Sequence, residues 1–165
     1  MFALDLDAYS EYLRPGPDGK PVLADRSTGE PHGNLYTKPK TIQLRAARNG
    51  YVSFFLVVKE SGETPYSLSF RLGGKSAGIQ PQLFKTWYHR LREMVFVPDA
   101  LIPVANPFDS KLPDTENQVA GQTALGFWVD LWRPSDTVLG LHQGWAVVAA
   151  GRKNSQLRVQ IVVRE

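Results

Sequence analysis

From Thr41 to the C-terminus, apolar residues recur at every second position in short runs, and turn-forming residues separate the runs. Ile42, Leu44 and Ala46 alternate with Gln43 and Arg45. Val52, Phe54, Leu56 and Val58 share one face of the next run, and Asn49-Gly50 ahead of it is a strong turn signal. Tyr66, Leu68, Phe70 and Leu72 alternate with Ser67, Ser69 and Arg71, the pattern of a half-buried antiparallel strand that Gly73-Gly74 ends. Further strands are predicted over 79–89, 93–97, 124–133, 144–150 and 156–164, the last with Leu157, Val159, Ile161 and Val163 on one side. About eight short strands with hardly a helical period among them predict an all-β fold. The expected architecture is an antiparallel β-sandwich, with an eight-stranded barrel as the alternative.

The first forty residues read differently. They hold five of the twelve prolines and four of the fourteen glycines, and 14–21 (Arg-Pro-Gly-Pro-Asp-Gly-Lys-Pro) is turn chemistry throughout. We therefore divide the chain into an extended N-terminal arm, 1–40, and a sandwich domain, 41–165. Within the arm, Phe2, Leu6, Tyr9 and Leu13 fall at helical spacing and predict one short helix that Pro15 stops. A helix so short is marginal alone, so it is expected to dock, either on its own sandwich or on a partner molecule. Those four residues are the candidate partner-binding set, and self-association or a partner protein is the interaction expected of the arm.

Composition narrows the function classes. The chain of 165 residues has no cysteine, which removes thiol catalysis, thiolate metal sites and disulfides together. No stretch approaches the roughly 20 apolar residues of a membrane-spanning helix, and the acidic residues of the first seven positions do not suit a secretory signal. A membrane partner is not expected, and localisation stays open. Nineteen Lys and Arg against sixteen Asp and Glu is too small a surplus to imply nucleic-acid binding. The surplus is uneven: the arm has five basic and six acidic residues, the domain fourteen and ten. That mild asymmetry suits an arm lying on the domain.

Catalytic motifs are scarce. Gly73-Gly74-Lys75-Ser76 lacks the earlier glycine that a phosphate-binding loop requires, Ser69 standing there instead, and no helix is predicted after it. No Gly-x-Ser-x-Gly elbow is present. His32, His89 and His142 show no paired ligand spacing, so neither a metal nor a cofactor is expected. Asp99, Asp109, Asp114, Glu116 and Asp130 are the carboxylates that a small glycoside hydrolase would use. The first three sit beside prolines and polar residues, where aspartates form turns, so the chain is read as non-catalytic.

The most informative run is 126–134, Gly-Phe-Trp-Val-Asp-Leu-Trp-Arg-Pro. As a strand it sends Phe127, Val129 and Leu131 into the core and Trp128, Asp130 and Trp132 to the opposite face. Two indoles flanking a carboxylate make a candidate sugar platform, since rings stack on C–H faces while the carboxylate accepts from hydroxyls. The same trio also suits burial under the arm or at a subunit interface. Trp87 and His89 form a second same-face pair, and Trp145 is expected in the core. Trp128, Asp130, Trp132 and Trp87 are thus the candidate ligand-binding residues.

Parts of the domain resemble a known family. Phe84-Lys85-Thr86-Trp87-Tyr88, Pro98-Asp99-Ala100-Leu101-Ile102-Pro103, and 127–136 with the later Gly140 are similar to the β-sandwich that precedes the catalytic barrel in bacterial glycoside hydrolases like the β-N-acetylgalactosaminidases. Ala47-Arg48-Asn49 and Tyr51-Val52-Ser53-Phe54 fit the same pattern, and the resemblance covers roughly 41–165. Gly50 stands where that family usually has an acid, and Leu141-His142-Gln143-Gly144 replaces a tighter turn. The family's catalytic residues lie in the barrel, so the resemblance implies a sandwich that accompanies carbohydrate chemistry rather than performing it. Two further readings stand beside that one: a structural subunit of an assembly, such as a virion decoration protein whose arm clasps a neighbour, and a small glycoside hydrolase.

Overall fold

In the computed structural model, described for residues 2–4, 36–37, 41–59, 63–76, 78–92, 95–117, 119 and 122–165, the alternating runs become strands. In chain order they are β1 (Phe2–Leu4), β2 (Tyr36–Thr37), β3 (Thr41–Ala47), β4 (Gly50–Lys59), β5 (Tyr66–Leu72), β6 (Gln80–Arg92), β7 (Val95–Val104), β8 (Phe108–Ser110), β9 (Ala124–Arg133), β10 (Gly140–Ala150) and β11 (Lys153–Arg164). A 3₁₀ turn, Gly74–Ser76, leads into β6. All eight expected strands are present, and three short ones join them. The strands form two sheets, ordered β1-β4-β9-β6-β7 and β2-β3-β11-β10-β5-β8, which makes the fold an all-β sandwich. Pairing is antiparallel except for β11 with β3, which run parallel.

The core lies where the inward positions of both sheets meet. Phe54, Leu56, Phe127, Val129 and Leu131 come from the five-stranded sheet; Ile42, Phe70, Val148, Leu157 and Ile161 come from the six-stranded one, and all are buried. Burial of side chains this size contributes about 1.5–3 kcal/mol each. Rings meet across the interface, Phe54 on Phe70 at 6.0 Å and Phe108 on Phe127 at 5.7 Å between centroids. Asn49 takes φ 55°, a left-handed value that asparagine tolerates, so the expected Asn-Gly turn carries the chain from β3 in one sheet to β4 in the other.

Several expectations need correction. The helix expected from Phe2 does not form at its start: Phe2–Leu4 is a strand, antiparallel to β4 with Phe2 opposite Val57. Edge pairing satisfies backbone groups that one isolated helical turn leaves open, and this outweighs a four-residue spacing pattern. Leu6, Tyr9 and Leu13 lie outside the described residues. Tyr36–Thr37 pairs with β3, so the two described pieces of the first forty residues each add a strand to one sheet of the same chain.

On β4, Phe55 and Val57 point away from the core yet are as buried as Phe54 and Leu56, so this strand is covered on both faces. Strand β7 continues through Pro98 and Pro103 to Val104, which places Asp99 in a strand and not in the turn expected there. An edge strand tolerates prolines because its outer amides bond to nothing in the sheet, and β7 is the edge of its sheet. Trp145 is not in the core. It stands half-buried on the outer face of the six-stranded sheet because its neighbours Gly144 and Ala146 take the inward positions.

Candidate functional site

Strand β9 places the predicted trio as alternation demands, with Trp128, Asp130 and Trp132 on the outer face of the five-stranded sheet, each half-buried. Asp130 organises the group. Its Oδ1 accepts hydrogen bonds from the Trp128 indole and from the Ser53 hydroxyl on β4, both at 2.5 Å. Ser53 is in register with Asp130, and Tyr51 with Trp132. The Tyr51 and Trp132 rings meet at 4.8 Å between centroids with a 43° tilt, and Tyr51 is 57% exposed. On the other flank β6 sets Gln80 beside Trp132 and Gln82 beside Asp130, both exposed.

The result is a ledge three strands wide. An aromatic pair stands at one end, a fixed carboxylate lies beside it, and two amides complete the edge. Trp128 belongs more to the scaffold, since it packs against the core cluster. Tyr51, Ser53, Gln80 and Gln82 escaped the sequence reading, because only pairing register shows which residues of β4 and β6 flank β9.

Trp87 does not join this group. It lies two residues after Lys85, and Lys85 is in register with core-facing Phe127, so Trp87 starts on the opposite face of the sheet. A register shift between Trp87 and Tyr88 then interrupts the alternation and leaves His89 exposed, so the expected Trp87–His89 pairing does not hold. Trp87 instead offers its ring to the Lys85 ammonium, 5.6 Å from the centroid, with Phe108 at 5.8 Å from the same nitrogen.

Lys85 is the centre of a second cluster, one that the sequence reading did not single out. Its side chain is 3% exposed, and its Nζ bonds Asp114 Oδ2 at 3.0 Å and also Glu116. Asp114 is equally buried, and its Oδ1 accepts the backbone N–H of Glu116 at 2.9 Å and of Asn117 at 3.0 Å. Asn117 completes the anchor: its side chain accepts from Tyr88 N at 2.6 Å and donates to Tyr88 O at 2.9 Å, occupying the backbone at the register shift. Burial opposes the Lys85 charge, but the bonds to Glu116 and Asp114 outweigh it and hold the ammonium above the usual lysine range. The loop carboxylate is therefore tied to a buried cation and two amides, which suits anchoring of the 112–117 segment on β6. A cavity of about 330 Å³ opens above it between Pro65, Phe108, Lys111 and Thr115.

Two further charged or titratable groups are internal. Arg133 is 1% exposed at the end of β9; its Nε donates to Ala47 O at 2.8 Å, tying the two sheets together. Burial pulls its pKa below the ordinary arginine value. Gly50 faces it in register, and a Cβ at that position would lie 3.5 Å from Arg133 Nη2. His142 Nε2 lies 2.6 Å from Val138 O, which can only accept, so Nε2 donates, and buried Nδ1 has no partner among the described residues.

No family model and no curated protein matches this chain. Solved structures do. A family 123 glycoside hydrolase from Clostridium perfringens, studied for glycolipid glycan hydrolysis, superposes with a TM-score of 0.53 at 12% identity, over 76% of this chain and 23% of that one. Also similar are an ASH/PapD-like domain of human CEP192 (TM-score 0.38, 9% identity, 76% and 82% coverage) and AvmM, which catalyses macrocyclization in alchivemycin A biosynthesis (0.39, 11%, 73% and 85%). The first likeness is one of fold, and this chain spans less than a quarter of that hydrolase. Among the described residues no helix is long and apolar enough to cross a membrane.

Proposed function

We propose that this chain is a non-catalytic β-sandwich module that holds carbohydrate on the Tyr51–Trp132–Asp130 ledge and accompanies glycan chemistry carried out elsewhere. The observation that carries the reading is the ledge itself. Asp130 Oδ1 is saturated by Ser53 and Trp128, while Oδ2 has no partner among the described residues and is left to accept a sugar hydroxyl. The half-buried Trp132 ring supplies a stacking face beside it, and Gln80 and Gln82 add amide donors and acceptors. The fold shared with part of a family 123 glycoside hydrolase supports the same class of ligand. The ties on Asp114 support a module without catalysis, because they already occupy that loop carboxylate.

Trp132→Ala and Asp130→Asn are expected to reduce retention on a glycan array at least tenfold, about 1.4 kcal/mol, with the fold retained by circular dichroism. A blank array for the intact chain refutes the reading. Trp128→Ala is the contrasting variant: because it packs on the core cluster, it is expected to lower stability as well.

A second reading, a structural subunit of an assembly, is favoured by a different observation. Val138, Leu139 and Leu141 are 68%, 44% and 52% exposed at one end of the sandwich, an apolar tip that a partner surface would cover. Val138→Asp with Leu139→Asp is expected to dissolve any oligomer seen by light scattering. An intact chain that is monomeric at high concentration removes this alternative.

A further inference from the structure

The outer face of the six-stranded sheet carries a chemistry that the ledge does not. Strands β3, β5, β10 and β11 contain no aspartate or glutamate at all. Their outward positions place Arg45, Arg71, Arg158 and Arg164 on one surface, and all four are exposed. Glu165, next to Arg164, bonds Arg48 at 3.4 Å, and the acid that the described strands do place on this face is Asp109 at its β8 edge, in register with outward Ser67 and four residues along β5 from Arg71.

Register decides how these groups are arranged. Trp145, half-buried and outward, has Arg71 beside it on β5 and Arg158 beside it on β11, so one indole stands between two guanidinium groups. Arg158 donates to Gln143 at 2.7 Å, which orients its fork along the sheet. Gln160 on β11 and Gln43 on β3 are in register with each other and continue the row toward Arg45. Two depressions lie on this same face: one of about 440 Å³ between Arg45, Gln160, Val162 and Arg164, and one of about 320 Å³ between Gly73, Leu141, Gln143 and Trp145.

We propose that this face binds an acidic polysaccharide, a polyuronate chain, laid across β5, β10, β11 and β3. Arginine forks match carboxylates in a bidentate way, and planar charge recognition is what they do better than lysine. Glutamine amides suit sugar hydroxyls, and the Trp145 ring suits the C–H face of one pyranose. Single-stranded nucleic acid is the poorer fit, because its binders stack successive bases on several aromatics and this face offers one. The inference rests on the carbohydrate reading above but uses the other face of the sandwich and an anionic ligand.

The test is affinity electrophoresis and titration calorimetry of the intact chain with polygalacturonate, with neutral dextran and a short oligothymidylate as comparisons. Polygalacturonate is expected to bind and neutral dextran not to bind at this face. Arg71→Gln with Arg158→Gln is expected to weaken polygalacturonate at least tenfold, and Trp145→Ala severalfold, whereas Arg90→Gln, an exposed arginine of the other sheet, leaves it unchanged. Arg71 and Arg158 are exposed and Trp145 is half-buried on the outer face, and circular dichroism checks that each variant folds. Absence of polygalacturonate binding, binding unchanged in the double arginine variant, or tighter binding of oligothymidylate overturns the proposal. If polygalacturonate fails while neutral glycans still depend on Trp132, only this inference falls; if no glycan of either kind binds, the carbohydrate reading falls with it.

Discussion

Replacing Lys85 by methionine asks how a buried cation is held inside a small sandwich. The Lys85 and Asp114 side chains are 3% and 2% exposed with 3.0 Å between the charged atoms. At an effective dielectric of about 20 their gross attraction is about 5 kcal/mol, while moving each ion out of water costs several kcal/mol. The intact pair therefore contributes little net stability. Removing one member is different, because the other stays buried without its counterion. Lys85→Met is expected to cost about 3–5 kcal/mol. Asp114→Asn is expected to cost less, about 2 kcal/mol, because asparagine still accepts the Glu116 and Asn117 amides and Lys85 keeps Glu116.

The double variant is expected to cost at least about 1.5 kcal/mol less than the sum of the two singles. Glu116, 67% exposed, is screened by water, so Glu116→Gln is expected to cost less than about 1 kcal/mol. Urea unfolding followed by tryptophan fluorescence reads all four variants. Single variants that each cost under about 1 kcal/mol, or strict additivity of the pair, would refute the reasoning, since either result means the ions are hydrated in the fold.

Three more outcomes follow from particular contacts. A Cβ at Gly144 would lie 2.9 Å from Arg71 O and 3.1 Å from Leu72 Cδ2, so Gly144→Ala is expected to cost at least about 2 kcal/mol of unfolding free energy; a neutral result would mean that β10 and β5 separate easily. Tyr66 and Lys85 both hold their protons more tightly folded than unfolded, Tyr66 through burial first and Lys85 through its acid partners. The unfolded chain thus loses protons first, and the urea midpoint is expected to be steady at neutral pH and to fall from about pH 10 upward. Tyr66→Phe should reduce that fall; an unaltered alkaline slope speaks against it. Gly50→Asp sets a carboxylate beside Arg133 and is expected to raise the thermal midpoint relative to Gly50→Ala, an advantage that should vanish on acidification below the aspartate pKa.

Two-residue alternation was enough to locate the eight longer strands, though not β1, β2 and β8, because a strand with one buried face writes that face directly into the sequence. It also put Trp128, Asp130 and Trp132 on one side of β9, as found. What alternation cannot carry is which strand lies beside which. The neighbours that make the ledge, Tyr51, Ser53, Gln80 and Gln82, come from segments 77 and about 50 residues away in sequence from Asp130, and only sheet register joins them. The same blindness hid Lys85: its inward position was written in the spacing with Leu83, but a lysine is believed internal only once Asp114 is seen to meet it.

Local pattern failed in the other direction at Phe2, whose four-residue spacing to Leu6 suggested a helix although an open sheet edge offered its backbone more hydrogen bonds. Trp145 failed for a related reason, since its size argued for the core while Gly144 and Ala146 had already claimed the inward positions. The sequence by itself determined the longer strands, the class of fold and the residues of one face, since these depend on short-range periodicity. The tertiary structure alone decided the buried ion pair, the ledge and the arginine-rich face, because each is assembled from strands that meet only when the two sheets form.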